Sequence, residues 1–161
     1  MSRSSIVLYI VLLGIGGFFF YRYKIAHDVE LSGIMVTKNS DQAPLEKFVQ
    51  LPAIVHFYAA WCGPCMQEMP EIISFADNNR DRFNVVLVTD DSQEIIQKTT
   101  LRFNTTSERF FQTPSLKENN IYSIPVTYFI NSKGKIAHSI LGECDWQNPE
   151  FVKEVEQYLN Q

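Results

Sequence analysis

The run Ala53-Ile54-Val55-His56-Phe57-Tyr58-Ala59 is almost continuously apolar, the pattern of a central strand covered on both faces. Phe83-Asn84-Val85-Val86-Leu87-Val88-Thr89 repeats it. Between them Cys65, Met69, Ile72, Ile73 and Ala76 recur at helical spacing, which predicts a helix from Cys62 to about Asn79, kinked at Pro70. A helix crossing between two such strands makes them parallel neighbours. Asp90-Asp91-Ser92 offers caps for a helix over Gln93 to Leu101. Arg102 to Thr113 reads as a loop with one short strand, and Pro114 to Asn120 as a short helix opened by proline. Val126 to Ile130 and Lys135 to Leu141 flank Asn131-Ser132-Lys133-Gly134, an antiparallel hairpin. Asn148-Pro149 starts a last helix whose stripe Phe151, Val155, Tyr158, Leu159 packs on the sheet. Upstream, Leu31 to Val36 suits an edge strand, Thr37 to Pro44 is polar and turn-rich, and Leu45 to Val49 suits one helical turn. The fold predicted is an α/β/α sandwich on a mixed sheet ending in an antiparallel hairpin.

Ser4 to Tyr21 is uncharged and mostly bulky and apolar. About 18 helical residues cover roughly 27 Å, near the lower limit for a bilayer span. The expectation is a signal-anchor over 1–24, a membrane-proximal segment and domain start over 25–52, and a core over 53–161. A cleaved signal peptide is the competing reading, though Lys24-Ile25 before Ala26 spoils the small-x-small site. A buried core helix is the other. Arg3 on one side against Arg22 and Lys24 on the other leans toward a cytoplasmic domain by charge count.

The chain has 161 residues, 45% hydrophobic, enough for one compact domain and a short appendage. Of its 14 basic residues, Arg3, Arg22 and Lys24 flank the apolar run; the other 11 face 18 acidic ones, a net of about −7. That balance argues against a basic nucleic-acid groove. No cofactor is called for.

The chemistry lies in Trp61-Cys62-Gly63-Pro64-Cys65, at the turn from the first central strand into the helix. Unpaired N–H groups of a helix start stabilise a thiolate at the first sulfur, and the second lies one turn on, within bonding reach. Cys62 is the expected nucleophile and Cys65 the resolving thiol. A structural staple over so short a loop adds little stability. Gly63 and Pro64 allow the tight turn and pre-set the first helical φ, and Trp61 is either a flat contact surface beside Cys62 or simple packing.

Together with Pro70, Ile124-Pro125 and Gly134, this turn resembles the thioredoxin superfamily over roughly residues 30–160. Within it the chain is most similar to the membrane-anchored, exported TlpA/ResA-like disulfide oxidoreductases, which also carry an acidic residue and a proline after the second cysteine, here Glu68 and Pro70. The resemblance implies exchange with protein or peptide disulfides, more in the direction of reduction than oxidation, with an upstream redox partner. It implies a cis Pro125 beside the dithiol, with the Ile124 backbone turned outward to pair with substrate; the residues alone leave a trans loop proline open. It also implies a single-pass protein of a bacterial inner membrane facing the periplasm, with an apocytochrome cysteine pair as the target in some relatives. One departure stands out: where thioredoxins carry Asp and TlpA-like members often Asn, this chain carries His56.

Alternation along the strand puts His56 on the face opposite Val55 and Phe57, as a packed core histidine or as a proton relay to Cys65. Glu68 tunes the dithiol or is a solvated helix position. Cys144, the odd third cysteine, is a buried small hydrophobe, a surface thiol or an auxiliary redox residue. A different class of function is Cu(I) transfer or metallocentre assembly, with Cys62 and Cys65 as soft ligands and His56, His138 or Cys144 as a third. A dithiol oxidase is the remaining alternative.

Overall fold

The computed structural model describes residues 11–17, 33–38 and 40–160. Seven strands form one mixed sheet: β1 (Met35–Lys38), β2 (Asp41–Pro44), β3 (Ala53–Phe57), β4 (Asn84–Thr89), β5 (Phe110–Gln112), β6 (Val126–Ile130) and β7 (Ile136–Leu141), in the order β2-β1-β5-β4-β3-β6-β7. The central run is parallel from β3 through β4 to β5, and β6 and β7 add antiparallel. Helices α1 (Gly63–Asn78), α2 (Gln93–Arg102) and α3 (Pro149–Leu159) complete the thioredoxin-like α/β/α fold with its terminal hairpin.

Every residue of β3 is buried, as its apolar run requires. Ile54 and Tyr58 face a core built with Met69 and Ile72 of α1, Ile96 of α2 and Val155 of α3. Val55 and Phe57 face a second core, closed by Ile34, Leu45, Leu116 and Ile121 from the amino-terminal segment and short 3₁₀ turns. Helix α1 runs through Pro70 to Asn78. Helix α3 starts where Asn148-Pro149 predicts, the Asn148 side chain accepting from the Glu150 N–H at 2.9 Å.

The edge of the sheet departs from expectation. The polar stretch after Val36 is a tight hairpin in which β1 and β2 pair antiparallel through Lys38↔Asp41, with Ser40 at φ 71°. Only Ala43 of β2 is buried, so no apolar alternation marks it; charge and a terminal proline suit an edge strand that has no second neighbour.

The expected single-pass anchor is corrected. No helix among the described residues is long and apolar enough to cross a membrane. The described part of the apolar run, residues 11–17, is helical. The rest of the expected anchor, residues 1–10 and 18–24, lies outside the described residues. The membrane as a partner, and the inner-membrane, periplasm-facing placement that depended on it, fall with the anchor.

Removing the cap of α3 tests how far that helix supports the sheet. Asn148→Ala is expected to lower unfolding free energy by about 1 kcal/mol, read as a reduced urea midpoint with an unchanged slope.

Candidate active site

Strand β3 delivers the chain to its reactive turn. The Tyr58 N–H bonds Val88 O at 3.0 Å, and the Cys62 N–H folds back onto Ala59 O at 3.0 Å. Cys62 is the N-cap of α1, in an extended conformation, and its Sγ accepts from the Cys65 N–H at 3.2 Å, with Pro64 in the first turn. Cys62 and Cys65 are joined as a disulfide with Cα atoms 5.3 Å apart. In this oxidised form Cys62 is 5% exposed and Cys65 fully buried, while Trp61 is 76% exposed; Gly63 and Pro64 are exposed too. The first cysteine, expected to be accessible, is therefore covered while oxidised, next to an exposed Trp61.

The Ile124–Pro125 peptide is cis. Val126, the next residue, pairs with Phe57 on one side and Leu141 on the other, and the Gly142 N–H donates to Pro125 O at 2.9 Å. Pro125 thus stands at the sheet end from which the reactive turn leaves.

Beneath the turn lies a buried polar ring. His56 pairs with Thr127 across β3 and β6, its Nδ1 2.9 Å from Thr127 Oγ1. Thr127 Oγ1 is 3.8 Å from Cys144 Sγ. Glu68 Oε2 accepts from the Cys144 N–H and from Trp146 Nε1–H, both at 3.0 Å. Glu68 Oε1 faces His56 Nε2 at 3.6 Å, and neither atom has a hydrogen-bond partner. Burial pulls the imidazole down to about 3, so His56 is neutral. Burial lifts Glu68 to about 7 against the two N–H donors, with Glu143 and Glu71 adding repulsion. The donor order follows the imidazole tautomer: with Nδ1–H the ring donates to Thr127, whose hydroxyl then turns toward Cys144 Sγ, and with Nε2–H the order reverses and the ring N–H faces Glu68.

His56 and Glu68 are thus both buried and face one another, and the solvated reading of Glu68 fails. Cys144 is buried, and burial pushes its thiol up to about 12, which leaves it protonated and inert as a nucleophile. Sequence reasoning missed Thr127 and Trp146. Thr127, two residues after Pro125, becomes readable only through the β3–β6 register; nothing in the sequence marked Trp146. Of the metal readings, His138 lies on β7, stacked on Tyr158 at 4.2 Å, and among the described residues no three His, Cys, Asp or Glu groups are placed to hold an ion.

Residues 24–139 match the AhpC/TSA family. The chain is 26% identical to the thioredoxin-like protein YneN of Bacillus subtilis over 96% of its own length and 94% of that protein's. It is 26% identical to the thiol-disulfide oxidoreductase ResA of Oceanobacillus iheyensis over 84% of this chain and 69% of that one. Among solved structures, a putative thiol:disulfide interchange protein DsbE from Chlorobium tepidum superposes with a TM-score of 0.64 over 82% of this chain and 97% of its own, at 16% identity.

The ring has a measurable pH signature. Folded Glu68 holds a proton up to about 7 that the unfolded chain releases near 4.5, so stability falls by about 3 kcal/mol as pH rises between those values and stays lower above them. Glu68→Gln keeps an oxygen for both N–H donors and puts an amide hydrogen toward His56. It is expected to gain up to about 3 kcal/mol over the wild type near pH 8 and to match it near pH 4, in paired urea titrations.

Proposed function

Because the chain belongs to the AhpC/TSA family and performs thiol–disulfide exchange, we propose that it works as a reductase of protein disulfides, Cys62 attacking and Cys65 resolving. The observation that carries Cys62 as the attacking sulfur is the N-cap geometry: the Cys65 N–H points at Cys62 Sγ, so in the reduced protein that donor and the helix field stabilise negative charge on Cys62.

The Cys62 thiolate attacks one sulfur of a partner's disulfide. A Cys62–partner bond forms, the partner's S–S bond breaks, and its other sulfur leaves as a thiolate that takes a proton. Cys65 then gives up its proton and attacks Cys62 Sγ, expelling the second partner sulfur. Two electrons pass to the partner, and the dithiol becomes the disulfide. An upstream dithiol returns it to the reduced state.

Resolution needs a base for a fully buried thiol. Glu68 is one helical turn after Cys65 on the same face of α1, and its affinity near neutrality suits transfer in both directions. His56 faces that carboxyl across 3.6 Å through an unpartnered Nε2, a buried neighbour able to share the proton. Ile124 and Pro125 form the edge along which an extended partner chain lies, with Trp61 as a flat apolar contact. Asp90, Glu118, Glu143 and Asp145 are exposed at this same end of the sheet, which favours partners with basic residues near their cysteines.

A Cys65→Ser variant is expected to stop at the mixed disulfide and to accumulate a partner-linked species that dithiothreitol releases. A potential at or below about −220 mV is expected for the Cys62–Cys65 couple in glutathione or dithiothreitol redox buffers; one near −120 mV would mark an oxidase.

A further inference from the structure

We propose that Asp91 is a positioning residue for the redox turn: it holds the chain ahead of Cys62 so that the two sulfurs stay in bonding reach when the disulfide is open. The inference rests on the exchange reading above and adds a residue that no step of that chemistry uses.

Residues 58–62 connect β3 to α1, and three backbone donors hold them. The Tyr58 N–H completes the ladder to Val88, and the Cys62 N–H closes a turn within the segment itself. The Ala60 N–H, two residues before the reactive sulfur, goes to a side chain: Asp91 Oδ2, at 2.7 Å. Bonds from N–H to a carboxylate are short and about twice as strong as neutral ones.

Asp91 is itself held tightly. The same Oδ2 accepts from Thr89 Oγ1 at 2.9 Å, and the Asp91 N–H donates to Thr89 Oγ1 at 3.1 Å. Thr89 is fully buried at the end of β4, and Asp91 is 8% exposed. The next residue, Ser92, caps α2 by accepting from the Ile95 N–H. The reactive turn is therefore braced from β4 and the start of α2, elements that carry none of the cysteines.

The consequence for chemistry differs from that of an ordinary loop staple. The equilibrium constant for closing the Cys62–Cys65 bond is set by the effective concentration of one sulfur around the other. Helix α1 fixes Cys65. Cys62, at the helix boundary, is fixed from its amino-terminal side by the chain that Asp91 braces. In the oxidised form the covalent bond holds the pair, so loosening the brace acts mainly on the reduced form. The disulfide becomes easier to reduce, and Cys65 resolves a mixed disulfide on Cys62 more slowly. A purely structural staple would weaken both redox forms alike and leave both quantities unchanged.

The test uses the full chain as wild type, Asp91→Ala, Asp91→Asn and Thr89→Val. Three readouts are taken: the Cys62–Cys65 equilibrium with glutathione, the rate at which Cys65 displaces thionitrobenzoate from Cys62, and hydrogen exchange at the Ala60 amide. Asp91→Ala is expected to lower the disulfide equilibrium constant about tenfold, a rise of about 30 mV in potential, and to slow displacement by a similar factor. Asp91→Asn keeps an acceptor oxygen and is expected to stay within about threefold of wild type. Thr89→Val removes one support from Asp91 and is expected to fall between the two; it carries the test if Asp91→Ala does not fold. Loss of Ala60 protection with equilibrium and displacement both unchanged would overturn the proposal, as would Asp91→Asn behaving like Asp91→Ala. A wild type that takes up no thionitrobenzoate and does not equilibrate with glutathione would sink the exchange mechanism itself, a separate result.

Discussion

A helix start has N–H groups without internal partners, and in α1 a sulfur fills the place that a hydroxyl or carboxylate fills at other N-caps. Cys62 occupies that place because β3, buried along its whole length, ends four residues before Trp61 and cannot shift register without turning its apolar side chains out of two cores. The position of this sulfur is thus fixed by sheet packing, at a helix start where negative charge is favoured. Cys65, one turn along, is removed from water by the same helix burying its apolar stripe. The two sulfurs differ in setting because one caps the helix and the other lies within its first turn.

Directly under that boundary the protein keeps a polar ring where the pattern of α1 and β3 would accept apolar groups. An ionised Glu68 beside a neutral imidazole would be a poorly compensated buried charge, which explains why burial outweighs its two N–H donors. Holding one proton between Glu68 and His56 removes the charge while keeping a group that can give and take a proton near neutrality. The histidine matters here. An Asp at that position would repel Glu68, and an Asn would put its own amide hydrogens toward it, whereas a neutral imidazole offers a lone pair. Thr127 bonds the imidazole at its other nitrogen, and the third cysteine is a buried neighbour of that hydroxyl.

Much of this arrangement was legible in the sequence. Long apolar runs marked β3 and β4 because both are covered on both faces, and the Asn-Pro cap marked α3. The dithiol was readable because a cysteine pair at a strand-to-helix turn has few other uses. What escaped has a common physical cause. The β1–β2 hairpin buries almost nothing through β2, so hydrophobic pattern cannot report it. The partners of Glu68 lie 76 and 78 residues away at Cys144 and Trp146, and contacts at that range depend on register. The apolar amino-terminal run matched a span by length and composition alone.

Two separate controls then meet at Cys62 and Cys65. One is geometric and reaches the first sulfur from β4 through Asp91 and Ala60. The other, proposed to be protonic, is the group of His56, Thr127 and Glu68 on β3, β6 and α1. They share no residue and enter from different strands, so their effects on reactivity should combine almost independently. On the proposed reading, bracing sets how readily the disulfide closes, and the buried acid sets the pH at which it closes fast. A fold with three core strands ending at one turn can therefore adjust potential and pH dependence by separate substitutions. The His56 departure lies in the second control alone, leaving the helix start and its sulfur unaltered.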